Sequence, residues 1–221
     1  MKDQKKILFI IDHLKGGGAE IMTLNLAKKL QERGYEIHIL LLENYNNFKN
    51  RTESFHLYSL NTTSGFVGGK LLIDKSLNQE IINRLDSLIL EIQPSNIIIT
   101  IWYAFHVLPY IKHKNILMWF QADLLPPFKK TYNHYTNIIF KRKFISLFSN
   151  RKIITLNQDL RKKYASLLNN PDIQVIPNGI PQPLDRNSLE KGWDICFVGR
   201  LSPSKQVEHA IIAFSNSILT G

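Results

Sequence analysis

The chain has 221 residues, of which 44% are apolar and 21% charged, so it can form one core and part of a second and is neither disordered nor of low complexity. Its single cysteine, Cys196, excludes an internal disulfide and a thiolate metal cluster and favours a reducing, cytoplasmic compartment. The longest apolar run, IIITIWYAF from Ile97, is shorter than the ~18 residues of a membrane-spanning helix, and the N-terminal apolar run is too short for a signal peptide. We therefore expect neither a membrane span nor an export signal.

Strand-like apolar runs alternate with amphipathic helical runs along residues 1–180, which is typical of parallel βα units. The first run, KILFII, is followed by three glycines and by AEIMTLNLAKKLQERG, in which Met22, Leu26 and Leu30 recur every fourth residue. The other predicted strands are YEIHILLL, FHLYSL, SNIIITIW, KNILMWF, NRKIITL and IQVIPNGI, and the other predicted helices are KLLIDKSLNQEIINRLDSLILEIQ, YNHYTNIIFKRKFISLF and QDLRKKYASLL. Together they predict an α/β, Rossmann-like fold: a doubly wound parallel sheet of about seven strands that binds its ligand at the carboxyl ends of the strands.

A polar, proline-containing stretch at residues 181–192 predicts a linker to a second unit. In that unit WDICFVG is predicted as a buried strand, and Ser-Pro opens a predicted helix, VEHAIIAFSNSIL. One strand and one helix cannot bury both faces of a parallel sheet. We therefore expect residues 1–180 to form one domain and residues 193–221 to be the opening of a second domain whose remainder is absent.

The net charge of +10 is concentrated in residues 112–163, which carry twelve Lys or Arg residues against Asp123 and Asp159. A solvated helix face is the default interpretation of such a segment, and nucleic acid is disfavoured because no recognition motif accompanies the charge. An anionic membrane surface fits best, because NIIFKRKFISLF interleaves cations with Ile and Phe. We expect residues 129–152 to place the protein on the inner face of the cell membrane.

Three consecutive glycines occur in the stretch IIDHLKGGGAE, between the first strand and the first helix. Because Gly16, Gly17 and Gly18 are contiguous, the G-x-G-x-x-G dinucleotide fingerprint is absent. The stretch is either a tight turn without a ligand or a loop that points backbone N–H groups and the positive helix end at an anion.

A second candidate for anion binding is FVGRLSPSK, where Arg200 and Lys205 flank a helix start after a strand. These two cations can converge on one diphosphate, or they can be two solvated surface charges. The sequence has no D-x-D motif and no histidine pair with metal-ligand spacing. Neither a metal nor another cofactor is therefore implied.

Three of these stretches, GGGAE, VIPNGI and FVGRLSPSKQVEHAIIAF, together resemble glycosyltransferase family 4. The resemblance covers almost the whole chain, and its most specific part is a strand ending in Gly-Arg, a short loop, a Lys and an amphipathic helix. Members of this family are retaining enzymes of the two-domain GT-B fold that use nucleotide-sugar donors. The resemblance thus implies that residues 1–180 are the acceptor-side domain.

The resemblance also implies roles for individual residues. Arg200 and Lys205 would hold the donor diphosphate. Gly17 and Gly18 would approach the donor phosphate and the acceptor. Asn178 and Gly179 would form the turn at the interdomain hinge.

Many family members have a histidine at the end of the strand that here reads ILMWFQAD, and this chain has Gln121 there. Glutamine can orient a sugar hydroxyl or a phosphate, but it cannot act as a base because it does not titrate. Gln121 and Asp123 are the candidate catalytic residues, and a polar loop without a role is the alternative. His106 is predicted to be a core or rim residue. The nearby aromatic residues either shape an acceptor pocket or fill the core: Trp102, Tyr103, Trp119 and Phe120.

The predicted function is transfer of a hexose-type sugar from a nucleotide sugar to a lipid-linked or polysaccharide acceptor, in bacterial-type cell-surface glycan synthesis. Because the family places a pair of glutamates further along the second domain, this chain alone is expected to be inactive. The alternative is a non-catalytic, membrane-associated module that binds acceptor while a separate chain supplies the donor half. A nucleotide-dependent epimerase or dehydrogenase is disfavoured by the missing glycine fingerprint.

Overall fold

The computed structural model describes residues 5–62, 77–101, 103–124, 134–170, 172–179, 195–199, 201 and 205–219. The chain divides into two compact units, residues 1–179 and residues 180–221. The predicted linker, residues 181–192, lies outside the described residues.

Seven parallel strands form one sheet in the described part of the first unit. They are β1 (Lys6–Ile11), β2 (Glu36–Leu41), β3 (His56–Ser59), β4 (Asn96–Thr100), β5 (Ile116–Phe120), β6 (Lys152–Thr155) and β7 (Ile173–Val175). Their order across the sheet is β3-β2-β1-β4-β5-β6-β7. The predicted doubly wound parallel sheet is therefore confirmed.

The order of the strands reverses at β1, which pairs with β2 on one side and with β4 on the other. The chain after β1 enters α1 (Gly18–Glu32), which packs on one face of the sheet through Leu24 and Ala27. After β4 it enters a 3-10 helix (Ala104–Tyr110), which packs on the opposite face. The connections after β1 and after β4 therefore lead to opposite faces of the sheet. Doubly wound sheets bind ligands in the crevice that opens between two such connections, at the carboxyl ends of the strands.

Both faces of the sheet are covered, which explains why the strands are almost continuously apolar. Leu8 and Ile10 of β1 face one core, and Phe9 and Ile11 face the other. The first core is completed by three helices, α3 (Gln79–Ile92), α4 (His134–Phe148) and α5 (Gln158–Leu168). A short helix, α2 (Lys49–Thr52), precedes β3.

Asparagine side chains define where two of the helices begin. Asn78 accepts a hydrogen bond from the backbone N–H of Ile81, and Asn157 accepts one from that of Leu160. The predicted helix over residues 70–93 therefore begins at Gln79, and its predicted first residues, 70–76, lie outside the described residues. The bounds of α5 agree with the prediction.

The second unit contains α6 (Val207–Leu219), which agrees with the predicted helix. The predicted strand WDICFVG does not form over its described residues, since residues 195–198 have no regular secondary structure. A parallel strand needs a hydrogen-bonded neighbour, and the described residues of this unit contain no other strand. Among the helices that the structure describes, none has the length and apolar character needed to cross a membrane.

Candidate active site

Polar residues lie at the carboxyl ends of four neighbouring strands of the sheet. Asp12 follows β1 directly, Glu43 follows β2 by two residues, Thr100 ends β4 and Gln121 follows β5. Because the strands are parallel neighbours, these residues lie along one edge. This edge also carries the glycine loop, so it is the candidate active site.

The glycine loop turns the chain from β1 into α1. Gly16 has a φ of +125°, a conformation that strains any residue with a Cβ. Gly17 is the N-cap of α1 and has extended backbone, and it offers no side chain to the first backbone N–H groups of the helix. The predicted phosphate-approaching glycines are thus placed at a helix start whose N–H groups carry no side-chain cap.

Glu20 folds back over this loop from the first turn of α1. A Cβ added to Gly17 would lie 2.5 Å from Glu20 Oε2, whereas one added to Gly18 would meet nothing within 4 Å. Glu20 Oε1 is also 3.7 Å from His13 Nδ1. The absence of a side chain at Gly17 is therefore what lets the Glu20 carboxylate sit against the loop.

Replacing Gly17 with alanine should lower the free energy of unfolding by about 1 kcal/mol, because alanine is a poor N-cap and its Cβ displaces Glu20. Gly18→Ala is the matched control and should leave stability nearly unchanged. Denaturant unfolding of the two variants measures the difference. Equal losses in both would contradict this account of the loop.

Gln121 joins the loop to the neighbouring strand. Its Nε2 lies 3.2 Å from the carbonyl oxygen of Ala19, 3.4 Å from Thr23 Oγ1 and 3.3 Å from Thr100 Oγ1. The hydroxyl of Thr23 itself donates to the Ala19 carbonyl at 2.8 Å. The structure therefore brings the predicted residue Gln121 to the glycine loop and anchors its amide nitrogen there.

Two buried carboxyl groups at this edge were not singled out from the sequence. Asp12 is 2% exposed, and its Oδ2 accepts a hydrogen bond from the backbone N–H of Tyr103 at 3.1 Å. Glu43 Oε2 pairs with Lys15 Nζ at 2.7 Å. Their second oxygens, Asp12 Oδ1 and Glu43 Oε1, are buried without a hydrogen-bond partner among the described residues. Such unsatisfied oxygens are costly and are often found at functional sites.

The ionisation of this edge is set mainly by burial. Burial raises the pKa of Asp12 to about 7, with the carboxylates of Glu20 and Glu43 acting in the same direction and the backbone N–H groups of Tyr103 and Ala104 opposing it. A carboxyl group with this pKa can exchange a proton near neutral pH.

His13, also at this edge, has a pKa lowered by burial first and then by Lys15. Its imidazole ring is therefore neutral near pH 7.

Asp123 is placed against α5. Its Oδ1 accepts a hydrogen bond from the Tyr164 hydroxyl at 2.6 Å, and its Oδ2 pairs with Lys163 Nζ at 2.6 Å. The Tyr164 hydroxyl in turn accepts from the backbone N–H of Leu124 at 2.7 Å. These contacts hold the turn after β5 on the helix, so they favour a positioning role for Asp123.

The aromatic residues near these strand ends fill the two cores: Tyr103 and Phe120 pack in the first core, and Trp119 packs in the second. Phe120 is fully buried and makes edge-on contacts with Phe105, Phe148 and Tyr164. His106 is buried as well, and its ring stacks on that of Tyr103 at 6.2 Å between centroids. Trp102 lies outside the described residues.

Of the remaining predicted site residues, two follow β7 and two belong to the second unit. Asn178 and Gly179 are exposed after β7. Lys205 is exposed in the second unit, and Arg200 lies outside the described residues.

The parallel sheet matches the Rossmann-like sheet of the GT-B fold, and in such sheets ligands bind at the carboxyl ends of the strands. The chain belongs to glycosyltransferase family 4, because the family model "Glycosyltransferase Family 4" matches residues 16–182, well over half of its length. The match extends from the glycine loop past the predicted hinge.

The fold is similar to that of WaaG, a glycosyltransferase involved in lipopolysaccharide biosynthesis. The TM-score is 0.53 and the sequence identity 13%, over 79% of this chain and 45% of the WaaG chain. This chain thus spans less than half of that relative. Comparison with curated protein sequences gave no match.

Proposed function

We propose that the protein is a glycosyltransferase that moves a sugar from a nucleotide-sugar donor to an acceptor bound at the candidate active site. The observation that carries the proposal is the family match over residues 16–182, a range that contains the glycine loop and three of the four polar strand ends, those with Glu43, Thr100 and Gln121. The same match does not favour a non-catalytic binding module, because it is a match to a family of transferases.

In this proposal the acceptor hydroxyl lies beside Asp12 and Gln121. Asp12 Oδ1 is buried without a hydrogen-bond partner among the described residues, so neighbouring side chains must move before a sugar hydroxyl can donate to it. The pKa of about 7 lets the carboxylate take up the hydroxyl proton as the new glycosidic bond forms, while the bond between the sugar and the donor diphosphate breaks and the nucleoside diphosphate leaves. Gln121, fixed through its amide nitrogen, presents its carbonyl oxygen to the sugar.

The family resemblance supports Arg200 and Lys205 as the cations that bind the donor diphosphate. In the first unit, Gly17 and Gly18 let an anionic group of a ligand approach the N-terminus of α1. Guanidinium and ammonium groups and a helix start all offset phosphate charge, so the transfer is proposed to proceed without a metal. The family resemblance supports retention of configuration at the transferred sugar.

The acceptor is proposed to be a lipid-linked or polysaccharide glycan of the cell surface. This is supported by the fold likeness to WaaG, a glycosyltransferase that is involved in lipopolysaccharide biosynthesis. It is also supported by the surface of α4. Phe144 and Phe148 anchor this helix in the first core, whereas its exposed residues combine apolar and basic side chains: Ile138, Ile139, Lys141, Arg142 and Lys143.

We expect the protein to sediment with anionic vesicles and to be released as the salt concentration rises, because the attraction of α4 is largely screened charge. Replacing Lys141, Arg142 and Lys143 with glutamine should abolish this binding. A triple variant of exposed cations on other helices, Lys28, Lys29 and Arg84 to glutamine, is the control. Equal binding to neutral and anionic vesicles, or equal binding by both triple variants, would contradict the assignment.

Because this chain alone is expected to be inactive, the proposed activity is tested on a protein that joins it to a whole donor-side domain, by screening nucleotide sugars with mass detection of the glycosylated product. In the active enzyme, Gln121→Glu should lower kcat/KM, because it replaces the donor amide with an oxygen facing the Ala19 carbonyl. Gln174→Glu, on the exposed side of β7, is the matched control and should keep full activity. Absence of sugar transfer with every donor, or full activity in Gln121→Glu, would count against the proposed site.

A further inference from the structure

Three possible metal ligands lie together near the amino ends of β2 and β3, whereas the candidate active site lies at the carboxyl ends of the strands. Glu36 is the first residue of β2, His38 follows two residues later on the same face, and His56 is the first residue of β3. His38 and His56 are directly paired in the parallel register of β2 and β3. The fold therefore brings together two histidines that are 18 positions apart in the sequence, a spacing that suggests no metal site by itself.

The distances in this group are close to those of a metal site. Glu36 Oε1 is 2.8 Å from His38 Nε2 and 3.5 Å from His56 Nε2, and all three ligand atoms lie within 4.8 Å of one another. Tetrahedral zinc with bonds of 2.0–2.1 Å places its ligand atoms about 3.4 Å apart. His38 is fixed, since its side chain is 4% exposed, whereas His56 is 58% exposed and can rotate to close the site.

Tyr58, two residues after His56 on β3, orients the buried histidine from its other side. Its hydroxyl lies 3.2 Å from His38 Nδ1. A hydroxyl both donates and accepts, so it can donate to Nδ1 when Nε2–H points at Glu36 and can accept from Nδ1–H when Nε2 binds a metal. Metal-binding histidines almost always have such a partner on the second ring nitrogen.

The charges around this group act in opposite directions on a bound cation. The Glu36 carboxylate supplies the negative charge that a divalent cation needs, and Lys6 is a nearby cation that works against it.

We infer that Glu36, His38 and His56 form a binding site for a divalent transition-metal ion such as Zn²⁺. Two imidazoles and one carboxylate suit zinc, and a water molecule would complete the tetrahedron because the site opens to solvent at His56. The ion would tie β3, at the edge of the sheet, to β2. This metal site is separate from the candidate active site, which lies at the carboxyl ends of the strands.

Zinc titration of the complete, tag-free chain tests the inference, with Cys196→Ser introduced because the exposed thiol could bind zinc on its own. One zinc ion should bind per chain, and the melting temperature should rise by about 5 °C once the concentration of free zinc is about 100 times the dissociation constant. Isotope-labelled histidine spectra should show the proton of His38 moving from Nε2 to Nδ1 as zinc binds.

His56→Ala should weaken zinc binding at least tenfold, whereas His209→Ala, at an exposed histidine of α6, should leave it unchanged. Because His56 is exposed, its replacement does not disturb the core. Tyr58→Phe should keep the stoichiometry and weaken binding by about tenfold. Failure of the parent chain to bind zinc, or equal affinity in His56→Ala and the parent, would overturn the inference.

Discussion

Replacing Asp12 with asparagine should stabilise the protein at pH 8 and at the same time lower its sugar-transfer activity. The buried carboxyl group is the most strongly perturbed acid in the described part of the chain, with a pKa of about 7 against an ordinary value of 3.8. At roughly 1.4 kcal/mol per pH unit, this difference corresponds to about 4 kcal/mol of unfolding free energy. Asparagine keeps an oxygen for the backbone N–H of Tyr103 but carries no charge.

The pH dependence has a definite sign. Between pH 3.8 and about 7 the folded state holds a proton on Asp12 that the unfolded chain has lost, so this group lowers stability as the pH rises through that window. The variant should therefore match the parent at pH 4 and exceed it at pH 8. Denaturant unfolding at both values measures this, and Asp86→Asn on the exposed face of α3 is the control.

The loss of activity in Asp12→Asn would follow from the loss of its proton-accepting oxygen, because an amide does not take up a proton near neutral pH. Measurement of kcat/KM for the parent and both variants separates the two effects. If Asp12→Asn were stabilised and kept full activity, the carboxyl group would have no part in the transfer.

Replacing Arg200 or Lys205 with alanine in the active enzyme should cost ~2 to 4 kcal/mol of transition-state stabilisation each, because each removes a cation proposed to offset the donor diphosphate. The measured quantity is kcat/KM for the nucleotide sugar. Arg200→Lys keeps the charge and loses the two-pronged geometry of the guanidinium group, so an intermediate loss is expected.

Lys162→Ala, an exposed cation on α5, is the control for this series and should leave kcat/KM unchanged. Unchanged kcat/KM in both Arg200→Ala and Lys205→Ala would remove the diphosphate assignment. That result would not bear on the proposed acceptor site, which depends on Asp12 and Gln121 and is tested by the variants at those two residues.

Elements of the fold that depend on local signals were predictable from the sequence. The helix α5 begins after Asn157, which caps its first turn, and ends before Asn169, which has a left-handed backbone conformation. Both asparagines lie directly next to the helix whose ends they define. The strand predicted over WDICFVG depended instead on a neighbour in space. An apolar run alone does not supply that neighbour, and residues 195–198 form no strand.

The candidate site was predictable only in part, for a related reason. The resemblance drew attention to Gln121 and the glycines, whose motifs are contiguous in the sequence. Asp12 and Glu43 lie one and two residues past the ends of β1 and β2, and what distinguishes them is burial and an unpaired oxygen. Neither property can be read from residue type or spacing.

The position of β1 inside the sheet, between β2 and β4, also affects how the chain folds as it leaves the ribosome. Its pairing with β2 joins Ile7 to Ile37, but its pairing with β4 joins Ile7 to Asn96, which is synthesised much later. Contacts between such distant segments form slowly because a long loop must first be closed. Until β4 emerges, the nascent chain carries β1, β2 and β3, and the side of β1 that will pair with β4 has no partner. A chaperone would need to cover this side of β1 to prevent it from pairing with a strand of another chain.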